Sequence, residues 1–435
     1  MARFGNIHLS RRSLLLSAGA AGLAAPFAPA LGVGTNARRM VVLLAEGGWD
    51  VTFAFDPKLG EPEIEGPERY EGSQGPQDVE VLTTYADIPV VTNEAKRANV
   101  SRFFENWADR TTVVNGIFTG SIAHDPSRYR ILTGTPSNEN ADFASIVGSI
   151  HGAEMPLGSL DLSGRSLSGE LAASAGRVGN RSQIAMLLDP SLSLFPPGAQ
   201  PGTEPLFVAD DSERALLDSF LDTRTDSLVA ARGDAAVSGK INGLFEARDR
   251  ARRLEAKGHV LNGHLNIGEV PKPDRMIDLM VELFQNDVCS TVTIDSGLTW
   301  DTHENNAPQN SNFNQLFKDI DAIVGGLDAA GLLESTLVLV VSEMTRTPKY
   351  NATGGKDHWP HTAALMVGGP VAGGRVCGGT DGTLESLPMD LGTGEVSDLG
   401  ELCRFDNFVA GVLSMMDVDP EPWLPGVAPF LGALH

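Results

Sequence analysis

The chain has 435 residues, 42% of them hydrophobic and 20% charged, with 48 Gly and 26 Pro; such a composition suits a globular protein with a sizeable core and excludes fibrous and disordered classes. The formal net charge is −23 and no Lys/Arg stripe is present, which excludes the electrostatic footprint of a nucleic-acid binder. The three cysteines, Cys289, Cys377 and Cys403, share no C-x-x-C spacing; they read as buried small apolar residues, with a single Cys377–Cys403 bridge as the alternative.

At the N-terminus, Ser10-Arg11-Arg12-Ser13-Leu14-Leu15 precedes a mildly apolar Ala/Gly/Leu stretch and a small-residue site, Ala28-Pro29-Ala30. Residues 1–30 therefore read as a twin-arginine signal peptide. Its apolar run is interrupted by Gly and ended by Pro26, well short of the roughly 20 residues that span a bilayer. The expectation is a mature protein, residues 31–435, that is delivered by the twin-arginine translocation machinery to the periplasm or beyond, without stable membrane insertion. That route carries folded chains, often already loaded with a metal or cofactor.

Met40 to Ala45 is a continuous apolar run ending in Glu46-Gly47-Gly48-Trp49-Asp50, which predicts a parallel strand buried on both faces with Asp50 at its carboxyl end. Residues 58–80, acidic and rich in Pro and Gly, read as a surface loop. Further strands are predicted at Val113–Ile117, Ser290–Ile294, Thr336–Val341 and Ala363–Val367. Residues 205–275 read as a helical insertion, a candidate lid. A helix from about Asn312 to Ala330 buries Phe313, Leu316, Phe317, Ile320, Ile323, Val324 and Leu327 on one stripe, and Arg404 to Met416 forms a closing helix. Strands alternating with helices imply one α/β domain, a three-layer sandwich around a mostly parallel sheet.

In open α/β sheets, ligands collect beyond the carboxyl ends of the strands. The polar residues there are Asp50, then Asp301 and His303, then Ser342 and Glu343, then Asp357, His358 and His361. Carboxylates mixed with imidazoles suit zinc, manganese or iron better than magnesium, so one or two divalent ions, zinc-like, are expected.

Ile122 to Gly134 is similar to the sulfatase signature, sharing Pro126, Ser127, Arg128, Leu132, Thr133 and Gly134. His124 stands where sulfatases have the Cys that becomes formylglycine, which excludes the ordinary sulfatase mechanism at that position. The plainer reading is that Pro126-Ser127 begins a helix and Arg128 binds a carboxylate.

Together with Gly47-Gly48-Trp49-Asp50, Asp301-Thr302-His303-Glu304-Asn305-Asn306, Ser342-Glu343-Met344-Thr345-Arg346-Thr347-Pro348 and Gly355-Lys356-Asp357-His358-Trp359-Pro360-His361, the chain resembles a bacterial family known as domain of unknown function 1501. That family is similar in fold to the alkaline phosphatase and sulfatase superfamily. The resemblance implies that Asp301 and His303 serve one metal site with His358 or His361, and that Asp50 and Glu343 serve another. Superfamily members commonly carry His directly after that second carboxylate. Met344 stands there instead, so Asp357 or His358 has to substitute.

The resulting expectation is a metal-dependent hydrolase of anionic small-molecule esters, phosphate or sulfate. Arg128 binds a non-bridging oxygen, His124 acts as ligand or general acid/base, and the nucleophile is a metal-activated water or else Ser127. The rival expectation is a non-catalytic binding or assembly protein that keeps the fold and a structural metal.

Overall fold

The computed structural model describes residues 39–70, 75–177, 211–231, 235–261 and 276–434, all within one compact unit, Thr35–His435. The signal peptide read at 1–30 lies outside the described residues, as do parts of the predicted insertion.

Arg39–Leu44 (β1) is the strand announced by the first apolar run. Side chains alternate between the faces of a strand, and both faces are covered: Val41 and Leu43 enter one apolar cluster, Met40, Val42 and Leu44 another. The remaining strands, in chain order, are Val81–Tyr85 (β2), Ile88–Thr92 (β3), Thr111–Phe118 (β4), Ser159–Asp161 (β5), Ala175–Arg177 (β6), Thr291–Asp295 (β7), Thr336–Val341 (β8), Thr345–Arg346 (β9), His358–Trp359 (β10), His361–Gly368 (β11) and Arg375–Gly378 (β12). Eight of them form one sheet in the order β12-β4-β11-β8-β1-β7-β5-β6. Within it, β11 runs antiparallel to both neighbours, β4 and β8, while β1 is parallel to β7 and β8, and β5 to β6 and β7.

Helices Ala98–Trp107 (α1), His124–Thr133 (α2), Phe143–His151 (α3), Asp211–Ala231 (α4), Ala235–Ala256 (α5), Ile277–Gln285 (α6), Pro308–Ala329 (α7) and Phe405–Met415 (α8) supply the outer layers. On one face, Phe103 and Phe104 of α1, Leu279 and Leu283 of α6, and Phe313 and Phe317 of α7 share a core. On the other, Ile131 of α2, Phe143 and Val147 of α3, and Phe408 and Leu413 of α8 share the second. The architecture is thus an α/β sandwich of three layers on a mostly parallel sheet. All seven stripe residues predicted for α7 are buried, and Pro308 occupies its first turn, where a missing N–H costs nothing.

Two expectations need correction. The acidic stretch 58–80 is not wholly a solvated loop. Its end turns inward: Asp78 and Glu80 are buried, pairing with Lys96 and Arg97, and Asn93 donates to both carboxylates. The described helix α5 of the insertion is anchored away from the strand ends that carry the polar clusters, and α4 pairs with it through Arg248. Arg250 of α5, almost fully buried, donates to the carbonyls of Gly152, Ala153 and Met155 in the turn leading into β5, and Lys257 bonds the carbonyl of Asn286 ahead of β7. Both points lie at the amino edge of the sheet, opposite the carboxyl ends. Cys289, Cys377 and Cys403 are buried free thiols. No helix of the described residues is long and apolar enough to cross a membrane.

Candidate metal centre

The direction of β11 explains how the site assembles. Because β11 is antiparallel to β8, pairing Ala364 with Val341, the loop that precedes β11 meets the loops that follow β8, β1 and β7. Just before it, β10 pairs with β9, His358 opposite Arg346. Helix α2, entered after β4, begins at His124. Four distant stretches thus deliver side chains to one place.

One candidate ligand atom from each of His124, Asp301 and His358 lies within 4.8 Å of the others. His303 joins them: its Nε2 is 3.1 Å from Asp301 Oδ1 and 2.9 Å from His358 Nε2, while His358 Nε2 is 3.2 Å from the same Asp301 oxygen. His124 Nε2 faces Asp301 Oδ2 at 3.6 Å.

The other ring nitrogen of each histidine is anchored. His124 Nδ1 is 2.7 Å from Glu343 Oε1, His303 Nδ1 is 2.9 Å from Asp357 Oδ1, and His358 Nδ1 is 2.7 Å from the carbonyl oxygen of Ile122. Carboxylates and carbonyls only accept, so each Nδ1 carries the proton and, in the neutral ring, each Nε2 presents a lone pair. Three lone pairs and a carboxylate then converge, and His303 and His358 meet lone pair to lone pair, an arrangement that calls for a cation between them. Histidine ligands backed by carboxylates or carbonyls are the usual outer support of a metal site. The donors therefore fit a divalent ion, which His124, Asp301 and His358 would hold with His303 beside them.

Electrostatics follow from these contacts. The Glu343 hydrogen bond raises the His124 imidazole above its ordinary pKa against the effect of burial, whereas burial lowers that of His358. Burial also works to raise the Asp301 carboxyl, but the guanidinium of Arg346, 2.7 Å away, outweighs it and holds the carboxyl at about 2. The hydrogen bond from His303 keeps Asp357 below the ordinary carboxylate range.

The other expected residues go elsewhere. Asp50 is fully buried in an ion pair with Lys356 Nζ at 2.8 Å, and it also accepts from Asn306 Nδ2 at 2.8 Å and Thr52 Oγ1 at 2.6 Å; a lysine, not a metal, neutralises it. Glu343 stands behind His124, and Asp357 behind His303. His361, inside β11 and paired with Phe118, bonds Ser386 Oγ and Glu385 Oε2. Ser127 is fully buried with its hydroxyl donated to the carbonyl of Ser121 at 3.0 Å, so burial keeps it from the cavity. Arg128 gives one Nη to Glu46 and the other to Asp125 at 2.7 Å, so the plainer reading of that segment, a helix start and a carboxylate-binding arginine, matches the geometry.

Arg346 and Lys356 received no role from the sequence. Arg346 is fully buried and donates to the carbonyls of Gly47, Gly48, Trp300 and Lys356 as well as to Asp301, tying three loops together. The available signal was a basic residue inside each acidic motif.

A cavity of about 640 Å³ opens beside the cluster, with His124, Asp301, Arg128, Arg165, Glu46 and Asp295 in its wall.

Residues 278–423 match the family described as protein of unknown function (DUF1501), which bears out the resemblance carried by the motifs there. No curated protein matches the chain. Among solved structures, the chain is similar to the lipoteichoic acid synthase LtaP from Listeria monocytogenes (TM-score 0.34, 8% identity, covering 92% of this chain and 76% of that one). It is also similar to the PsFucS1 sulfatase from Pseudoalteromonas sp. (0.34, 11%, 88% and 68%) and to alkaline phosphatase from the Antarctic bacterium TAB5 (0.33, 11%, 78% and 94%). At such scores the architecture rests on this chain's own sheet.

Proposed function

We propose that the protein is an exported metal-dependent hydrolase acting on phosphate or sulfate esters. The observation that carries this reading is the convergence of three Nε2 lone pairs on Asp301, each fixed by an acceptor at Nδ1. When bound, a zinc-like ion supplies Lewis acidity toward an ester oxygen and toward an attacking water. The chain's own residues do the rest: Glu343 and Asp357 hold two imidazoles in their ligating tautomer, and Arg346 orients Asp301. The adjoining cavity accommodates the remainder of the ester. In this reading His124 is a ligand only, its Nε2 facing Asp301 and its Nδ1 held by the buried Glu343. Arg11-Arg12 and the following apolar stretch support twin-arginine export of the folded, metal-loaded chain to the periplasm or beyond.

A second reading, a non-catalytic binding protein with a structural metal, draws on the burial of Ser127, which withdraws that hydroxyl as a nucleophile. One experiment separates the two. Protein exported by its own signal is subjected to elemental analysis and assayed on nitrophenyl phosphate and sulfate. The hydrolase reading expects stoichiometric divalent metal and turnover, both lost in His303→Ala. Metal retained with no turnover on any ester favours the binding protein, and a metal-free chain defeats both.

A further inference from the structure

The two arginines in the cavity wall are not equivalent. Arg128, on α2, has both Nη nitrogens committed to carboxylates, one to Glu46 and one to Asp125, and only 13% of its side chain is exposed. Arg165 comes from the turn after β5. It reaches Glu46 Oε2 through Nε at 2.7 Å, and its side chain is 48% exposed. No described residue takes a hydrogen bond from its two Nη nitrogens. Glu46 therefore accepts a hydrogen bond from Arg128 on one oxygen and forms an ion pair with Arg165 on the other, so that Asp125, Arg128, Glu46 and Arg165 form an alternating chain of charges that ends at the cavity.

We infer that Arg165 is the residue that binds the anionic group of the substrate, and that Asp125, Arg128 and Glu46 are positioning residues that aim it. The inference rests on reading the cluster as a metal centre beside an ester-binding cavity. Arg128 is neutralised by two carboxylates and has no donor pair to offer. Arg165, held at Nε, keeps the planar Nη1/Nη2 fork, which matches two oxygens of a tetrahedral oxyanion. Sheet order supplies the placement: β1, β7 and β5 are adjacent and parallel, so the residues following them, Glu46, Asp301 and Arg165, line up along one edge of the cavity. The ligand chemistry is a phosphate or sulfate group whose oxygens reach the Arg165 fork and the cluster together.

The probes are inorganic phosphate and, separately, sulfate, titrated by calorimetry into metal-loaded mature protein. Arg165→Met is expected to weaken binding of the preferred anion by roughly ten- to a hundredfold, the worth of a charge-assisted hydrogen-bond pair. Metal content should stay that of the unaltered protein. Arg165→Lys recovers only part of the affinity, since an ammonium lacks the fork. Glu46→Gln weakens binding less than Arg165→Met, and adding it to Arg165→Met costs nothing further, the non-additivity expected of residues acting through one another. Unchanged affinity in Arg165→Met, or a metal-loaded wild type that binds neither anion, overturns the inference. The first of those outcomes leaves the hydrolase reading standing, because metal content and ester turnover are measured independently. Equal and additive losses from Glu46→Gln and Arg165→Met overturn the relay.

Discussion

Glu343 is almost wholly buried, 3% exposed, yet it decides which nitrogen of His124 carries the proton. It is itself held by the amide of Gly47 at 2.9 Å and by Ser342 Oγ at 3.2 Å, so the imidazole is oriented by a carboxylate that cannot turn. Glu343→Ala frees the ring to swing and to exchange tautomers. Zinc affinity measured by chelator competition should then fall about 10- to 100-fold, the usual cost of removing such support, while Glu343→Gln, which keeps one acceptor oxygen, should fall less. Equal zinc affinity in Glu343→Ala and wild type would remove His124 from the ligand set. The carboxylates and imidazoles of the centre were legible as residue types at strand ends. Which of them touch one another was not, because Asp50 and Asp301 look alike in sequence and differ only in whether Lys356 or a histidine stands opposite. Arg165 left no trace either, since a lone arginine in a Ser/Gly turn has no pattern until Glu46 is seen beside it.

Among the elements, β1, β8 and α7 were readable because their apolar patterns are long and bounded. The direction of β11 was not, since an apolar run is the same read up or down, and that direction is what brings His358 to the other ligands. The turn after β1 is a close junction at the site. Gly47 has φ +120°, and a Cβ there would lie 2.9 Å from the backbone nitrogen of Asp301, so the loops carrying Glu343's amide partner and Asp301 pass too closely for any side chain. Gly47→Ala combines a disfavoured backbone with a clash and should cost on the order of 1–3 kcal/mol, read as a lower denaturation midpoint. It should also weaken zinc binding, because relief of the clash moves Asp301. Full stability with full metal affinity would show that the two loops adjust independently.

For the whole molecule, an ion that binds only the folded centre must stabilise the fold. Linkage gives about 2.7 kcal/mol at a free metal concentration a hundred times Kd, observable as a thermal midpoint that rises with added zinc and falls with a chelator. Metal binding needs neutral imidazoles, and protonation removes their Nε2 lone pairs. Because His124 is raised above the ordinary histidine pKa and His358 lowered below it, the zinc-dependent part of the stability should begin to fall while the pH is still above about 6.5, as His124 protonates, and be lost below that value as His358 follows. A midpoint shift that persists unchanged at pH 5 would argue that carboxylates alone hold the ion. The docking of α5 at the amino edge of the sheet, with α4 paired to it through Arg248, has its own consequence. The His/Asp cluster and the α5 anchorage occupy opposite ends of the strands, so shortening the described helical pair or fusing it to a reporter, with Arg250's carbonyl anchorage preserved, should leave metal affinity at the cluster unchanged.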